Sequence, residues 1–273
     1  MLKAIARYAL PLLLLMLNAC TFMQDTAPPD LTPPAGSEAD RAAQAWEKFA
    51  ARVTKAVALS GPFRIAGNMR YKGEDGKNNR VSILLWGNGK ANSPRPLRLD
   101  LLAGIGIIAA QIREDSQNLV AFIPEEKTAY THSGENRAAS SFGVPLPLSI
   151  GDLALLLTGC QGELFLGKTG KMPRDYVATG QGFLFTLEKS GLEGRLELSE
   201  SGLPLLWKEE GPGWSLDIEY ENDKPARLRV AHPRGYSALV VVKEMERVSP
   251  PYSPEQLALI LPEGTATKTL RLH

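Results

Sequence analysis

Apolar and polar residues change places along this chain with two different periods. Trp46, Phe49, Val53 and Val57 recur at intervals of three and four, the spacing of one helical face. Ser37 can cap that segment, Glu38 and Asp40 sit in its first turn, and Gly61-Pro62 closes it, so a helix is predicted over 37–59. From Phe63 onward the period drops to two. Short alternating runs over 63–71, 80–86, 97–102, 107–113, 118–122 and 127–132 are separated by turn residues such as Gly73-Glu74-Asp75-Gly76 and Gly87-Asn88-Gly89. That spacing predicts an antiparallel meander. The pattern changes again at Ser149. Leu153 to Thr158 is apolar nearly all round and stops at Gly159, which predicts a short buried helix. A loop is expected over 162–174. Strands resume over 176–178, 182–188, 194–199, 203–208, 214–220, 226–230 and 236–243, and a short helix is expected near 254–261.

The amino terminus belongs to none of this. Lys3 and Arg7 precede an almost unbroken leucine run from Ala9 to Leu17, and small residues lead to Cys20. The pattern is that of a secretory signal peptide, too short for a stable membrane span. Leu17-Asn18-Ala19-Cys20 resembles a bacterial lipobox. That resemblance implies cleavage before Cys20, a diacylglycerol on its sulfur and an acyl chain on the new amino terminus. Several buried acyl chains make such an anchor stable. Thr21 stands where an Asp would favour inner-membrane retention, so the expected location is the periplasmic face of the outer membrane. Pro28, Pro29, Pro33 and Pro34 mark a flexible tether that cannot bury enough surface to fold. The expected organisation is a signal peptide over 1–19, a lipidated tether over 20–36, a domain over 37–248 and a tail over 249–273.

Composition narrows the chemistry. A net charge of +1 across 273 residues argues against a dedicated nucleic-acid binder. Of the two cysteines, Cys20 is committed to lipid, which leaves Cys160 without an intrachain partner; it reads as a small, semi-buried residue at a helix end. His132, His232 and His273 show no metal-ligand spacing. Glu125-Glu126 and Glu209-Glu210 are strand neighbours that point to opposite faces, poorly placed for acid–base work. Gly162 to Thr169 matches the phosphate-loop pattern in letters alone: it follows a helix rather than a strand, Pro173 interrupts the helix it needs, and its interior is bulky. Arg64, Arg70, Arg80 and Arg98 are read as solvated sheet positions, with lipid head groups or an acidic carrier as the alternative. No enzyme and no cofactor beyond the lipid on Cys20 are expected.

The order of elements then resembles a known family. Gly143-Val144-Pro145-Leu146-Pro147-Leu148 before an apolar helix ending at Gly159, Leu84-Leu85-Trp86 closing a strand, Arg98-Leu99-Asp100-Leu101-Leu102 leading into a short apolar loop, and Gly213-Trp214-Ser215-Leu216 followed by Lys224 to Val242 are similar in layout to the outer-membrane lipoprotein receptor LolB. The resemblance covers most of 40–247. It implies a mainly β fold, an open, half-closed antiparallel β barrel whose concave apolar face is covered by α-helices. It also implies a cavity that takes acylated lipoprotein cargo from a LolA-like periplasmic carrier and releases it into outer-membrane lipid, the receptor acting as a monomer. An exposed apolar residue would enter the membrane from the loop 102–106, with Ile105 the match and Leu102 behind it. The alternative is a hairpin whose isoleucines fold back into the core. Leu84 and Trp86 are assigned to the acyl-chain cavity, with Leu153, Leu156 and Leu157 on the lid side; the competing assignment makes Ile83, Leu84, Leu85 and Trp86 all plain core. A lipid- or glycolipid-binding lipoprotein of the same fold, or an adaptor with a filled core, are the alternatives in function. Residues 176–200 and the tail have no counterpart in the family.

Overall fold

The computed structural model describes residues 36–58, 60–73, 76–89, 96–115, 117–133, 148–166, 170–187 and 192–270. The signal peptide, Cys20, the tether, Pro145 and Pro147, Lys168, Thr169 and His273 lie outside the described residues. Contacts divide the chain at Ser37/Glu38, and the unit Glu38–His273 holds the strands and helices.

Its frame is one sheet of fourteen strands. They are β1 (Pro62–Lys72), β2 (Asn78–Asn88), β3 (Leu97–Ala103), β4 (Ile107–Glu114), β5 (Asn118–Ile123), β6 (Thr128–Ser133), β7 (Tyr176–Ala178), β8 (Gly182–Leu187), β9 (Gly194–Ser199), β10 (Pro204–Lys208), β11 (Ser215–Glu221), β12 (Lys224–Ala231), β13 (Ser237–Arg247) and β14 (Ala266–Thr269). The order across the sheet is β14-β6-β5-β4-β3-β2-β1-β13-β12-β11-β10-β9-β8-β7. Consecutive hairpins account for most neighbours, and the pairing of β1 with β13 joins the two meanders. Every ladder is antiparallel except β14 on β6. Strands β14 and β7 are the two edges, so the sheet is open.

Alternation decides which face is inside. Phe63, Ile65 and Met69 on β1, Val81, Ile83 and Leu85 on β2, and Leu97, Leu99 and Leu101 on β3 are buried. The same inner face continues through Leu228 and Val230 to Leu196, Phe183 and Phe185. One contiguous core runs from Leu119 of β5 to Phe185 of β8. Those strands lie ten places apart in the sheet, roughly 48 Å if it were flat, so the sheet must curl around whatever fills it. A bulge at Ala66/Gly67 helps to bend the central pair. Only a hydrogen atom fits at Gly67, because a Cβ would come within 2.4 Å of the Val241 carbonyl oxygen.

Two helices do most of the filling. Helix α1 (Glu38–Ala58) turns Ala42, Ala45, Trp46, Phe49 and Val53 inward and packs on β7, β8 and β9. The Trp46 ring lies 5.6 Å from Phe49 and 5.1 Å from Phe185, a spacing that adds to simple burial. The strands at 176–200 thus exist to receive α1. Helix α2 (Ile150–Thr158) packs on both β3 and β12, bridging the middle of the sheet. Ser149 and Asp152 form its capping box, and Gly159 ends it in the left-handed conformation at φ 80°. A one-turn helix, α3 (Gly162–Phe165), replaces part of the loop expected over 162–174. It forms because Leu164 and Phe165 have core to enter, and Gly162 sits so close to Val53 of α1 that a Cβ there would meet its side chain at 2.2 Å. Cys160 is buried beside the end of α2.

The tail is part of the domain. After β13 the chain crosses the outer face of the sheet, where Asn88 exchanges hydrogen bonds with the Tyr252 backbone at 2.7 and 2.8 Å. Helix α4 (Pro254–Leu257), capped by Ser253, buries Leu257. Arg98 then donates to the Ala258 carbonyl at 2.6 Å, and β14 finishes the crossing alongside β6.

Candidate functional site

Where α1, the end of α2, and the β9–β10 and β11–β12 turns meet, the inner face is not filled. A cavity of about 530 Å³ remains, within the range of small-molecule sites. Phe49, Val53, Leu157 and Met245 give it an apolar floor. Gln161 and Tyr220 add one polar pair, their amide nitrogen and hydroxyl oxygen 3.1 Å apart. Burial pushes the Tyr220 hydroxyl well above the usual tyrosine range, so it stays a neutral hydrogen-bonding group. The mouth is basic: Arg52, Lys55, Lys224 and Arg247 surround it with Asp223 as its one acid. Arg52 is held in place by Asp223 at 3.3 Å and by the Ser201 carbonyl at 3.1 Å.

At the other end of the strands lies the β3–β4 hairpin. Phe63 pairs with Arg247 and Gly87, and Gly87 with Leu97, so these residues share the cavity's end of the sheet. Strand β3 runs away from that end to Ala103. Gly104 and Gly106, at φ 70° and 75°, make the turn, a conformation that glycine adopts without strain. Ile105 stands between them fully exposed, at 101% of its reference area, and Ile107 is 64% exposed. Strands β3 and β4 stay paired out to Ala103 and Ile107, whereas β4 pairs with β5 only as far as Gln111. The tip therefore projects beyond its neighbour on that side. Leu102 is half-buried at its base. The isoleucine at the tip does not fold back into the core.

The residues assigned from sequence separate in three dimensions. Leu153, Leu156 and Leu157 are buried on α2; Leu157 lines the cavity, while Leu153 and Leu156 are packed in the core. Leu84 and Trp86 do not face the cavity, which corrects their assignment to its wall. They lie on the outer face of β2, opposite to Ile83 and Leu85. Trp86 is half-buried there, with the Arg98 guanidinium 5.2 Å from its ring centre, and Arg98 is tied to Asp100 at 3.2 Å. Both faces of β2 are apolar because the tail covers the outer one, so alternation alone could not rank them. Phe49 and Val53 were legible as a stripe on α1, but their exposure to a cavity was not. Arg52, Tyr220, Lys224 and Arg247 come from separate segments and carry no local signal. The letters of the phosphate-loop pattern begin on α3, with Gly162 buried against α1. Among the described residues, no helix is long and apolar enough to cross a membrane.

An open antiparallel sheet curled around covering helices, with an apolar-floored cavity between them, makes a half-barrel. Two solved structures share the fold in particular. A DUF1329 family protein from Desulfovibrio piger superposes with a TM-score of 0.52 at 14% identity, over 80% of this chain and 97% of its own. A candidate outer-membrane lipoprotein-sorting domain from Vibrio parahaemolyticus gives 0.52 at 13% identity, over 78% and 97%. A LolA superfamily protein from Nitrosomonas europaea aligns over 77% of this chain and 94% of its own, at 12% identity and a TM-score of 0.49. No family model matches the sequence, and no curated protein is detectably similar to it.

Proposed function

We propose that this protein is a lipid-anchored receptor of the bacterial envelope that accepts acylated lipoproteins from a LolA-like periplasmic carrier and inserts them into the outer membrane. The observation that carries the reading is the presence, in one half-barrel, of an apolar-floored cavity and a fully exposed isoleucine at a hairpin tip. A water-soluble turn has no use for Ile105 between two glycines; an exposed apolar tip fits an interaction surface. Acyl chains need no reactive groups, since each methylene buried contributes about 0.8 kcal/mol. Transfer is then driven by differences in affinity between carrier, receptor and bilayer, without catalysis. Cys20 carries the anchor, and the chain works at the periplasmic face of the outer membrane.

The test uses a form beginning at Thr21, mixed with a carrier loaded with lipoprotein. Acylated cargo moves onto the receptor and unacylated cargo does not. The variant Ile105→Glu still takes cargo but fails to deliver it to vesicles. Delivery by that variant at the wild-type rate would remove the loop from the mechanism.

The cavity mouth favours a second reading. Four basic side chains against one acid suit a lipid with an anionic head group, whereas the acyl chains of a lipoprotein bring no such charge. The mouth also lies at the opposite end of the strands from Ile105. On this reading the protein binds a free anionic lipid, and mass spectrometry of protein purified without detergent finds that lipid bound while cargo transfer fails.

A further inference from the structure

We infer that Arg70 and Arg80, with Lys72, form a cationic seat for the head-group phosphates of an anionic bilayer, placed beside the apolar tip that enters it. This rests on the membrane-facing reading of Ile105 and adds the lipid chemistry that the tip would meet. Arg70 and Arg80 are direct cross-strand partners on β1 and β2. They share the outer face, since Met69 and Val81 next to them are buried inward, and Lys72 comes next on that face. Like charges directly opposite one another weaken a sheet. Both arginines are exposed.

Most other arginines of the outer face meet a carboxylate, although Arg195 and Lys208, direct partners across β9 and β10, are a second exposed pair of cations. Arg64 meets Glu244 and Glu246, Arg98 meets Asp100, Arg113 meets Asp115, Arg227 meets Glu219 and Glu221, and Arg229 meets Glu219. Among the described residues Arg70 and Arg80 have no such carboxylate. Arg70 pairs on its other side with Leu239, and Lys72 with Ser237; the next outer-face residue on β2 after Arg80 is Ser82. Among the described residues the sheet offers these two arginines no counter-charge, and an anionic surface can supply it.

Position says what supplies it. Ser82 pairs with Leu102, so Arg80, two residues further along the same face, is level with the turn that carries Ile105. An apolar tip flanked by cations matches the layering of a bilayer, with acyl chains below and phosphates above. Each basic side chain near an anionic surface strengthens binding by about fivefold.

The experiment is vesicle co-sedimentation with the unit Glu38–His273, which holds the whole sheet and its core and lacks the anchor. Vesicles of phosphatidylcholine alone are compared with vesicles containing phosphatidylglycerol. Wild type binds the anionic vesicles more tightly, and the preference fades at high salt, where screening shortens to a few ångströms. R70Q/R80Q loses about 25-fold on anionic vesicles, keeps wild-type binding to phosphatidylcholine and melts at or slightly above the wild-type temperature, because the cross-strand repulsion is gone. R70K/R80K restores the preference. If R70Q/R80Q keeps the anionic preference, this proposal fails while the loop reading stands. If I105E binds both vesicles as wild type does, the loop reading fails and this proposal fails with it. Binding of wild type to an acidic protein carrier, with no preference between vesicles, also overturns it.

Discussion

Among the described residues, Glu114 is a buried carboxylate whose environment sets a pH dependence of the fold. It ends β4 on the inner face, 6% exposed, and reaches across 36 residues to accept hydrogen bonds from the backbone N–H groups of Ile150 and Gly151 at 3.1 and 2.9 Å. Burial raises its pKa from 4.5 to about 7; the two N–H donors pull it down, and Asp152 and Asp115 push it up further. Linkage gives the sign. Between about 4.5 and 7 the folded state holds a proton that the unfolded state has released, so stability falls as pH rises through that window. The loss amounts to about 3 kcal/mol. Urea unfolding of wild type and E114Q between pH 4.5 and 8 isolates it, with wild type losing that much relative to the variant. A constant difference across the range would show that Glu114 does not titrate there. The same residue marks a limit of sequence reading. Its spacing on β4 placed it on the inner face, but nothing local foretold that the carboxylate would hold the start of a helix 36 residues away.

At the scale of elements, what could be read from sequence was what repeats locally. Trp46, Phe49 and Val53 declared α1, and the alternating runs declared thirteen of the fourteen strands. Strand β14 was invisible because Ala-Thr-Lys-Thr offers no apolar residue larger than alanine; all four are exposed, and backbone pairing with β6 holds them, with the Lys268 ammonium over the Tyr130 ring at 5.7 Å. The face of β2 could not be read because the tail half-buries the outer face while the inner one is buried in the core. That tail depends on few contacts, and Leu257 is the deepest of them at 1% exposure. Leu257→Ala is expected to cost about 2–5 kcal/mol if its site cannot collapse. Since the tail ends in an edge strand of the sheet, the loss should appear first as local release. Limited trypsinolysis at Lys268 is expected to speed up at least tenfold, well below the urea concentration that unfolds the sheet. Unchanged cleavage would mean that β14 holds without α4.

The whole molecule places its two functional features at opposite ends of the same strands, which makes them separable. Ala56 lies on the cavity wall, half-buried on α1 and outside the core cluster. Replacing it with Trp puts a large ring into a space of about 530 Å³ without removing any core side chain. The stability change should stay within about 1 kcal/mol, since no buried contact is lost. Binding of a fluorescent fatty-acid probe should fall at least tenfold. Vesicle docking through Ile105 should remain as in wild type, because the hairpin lies at the far end of the sheet. A different result would be informative about how the proposed receptor works. If A56W lost vesicle docking along with the probe, the cavity and the tip would be coupled, and α2 would be the element able to couple them. It packs on both β3, which leads to the tip, and β12, which leads to the mouth. Unchanged probe binding with docking intact would instead place the acyl site elsewhere on the inner face and remove the cavity from the mechanism.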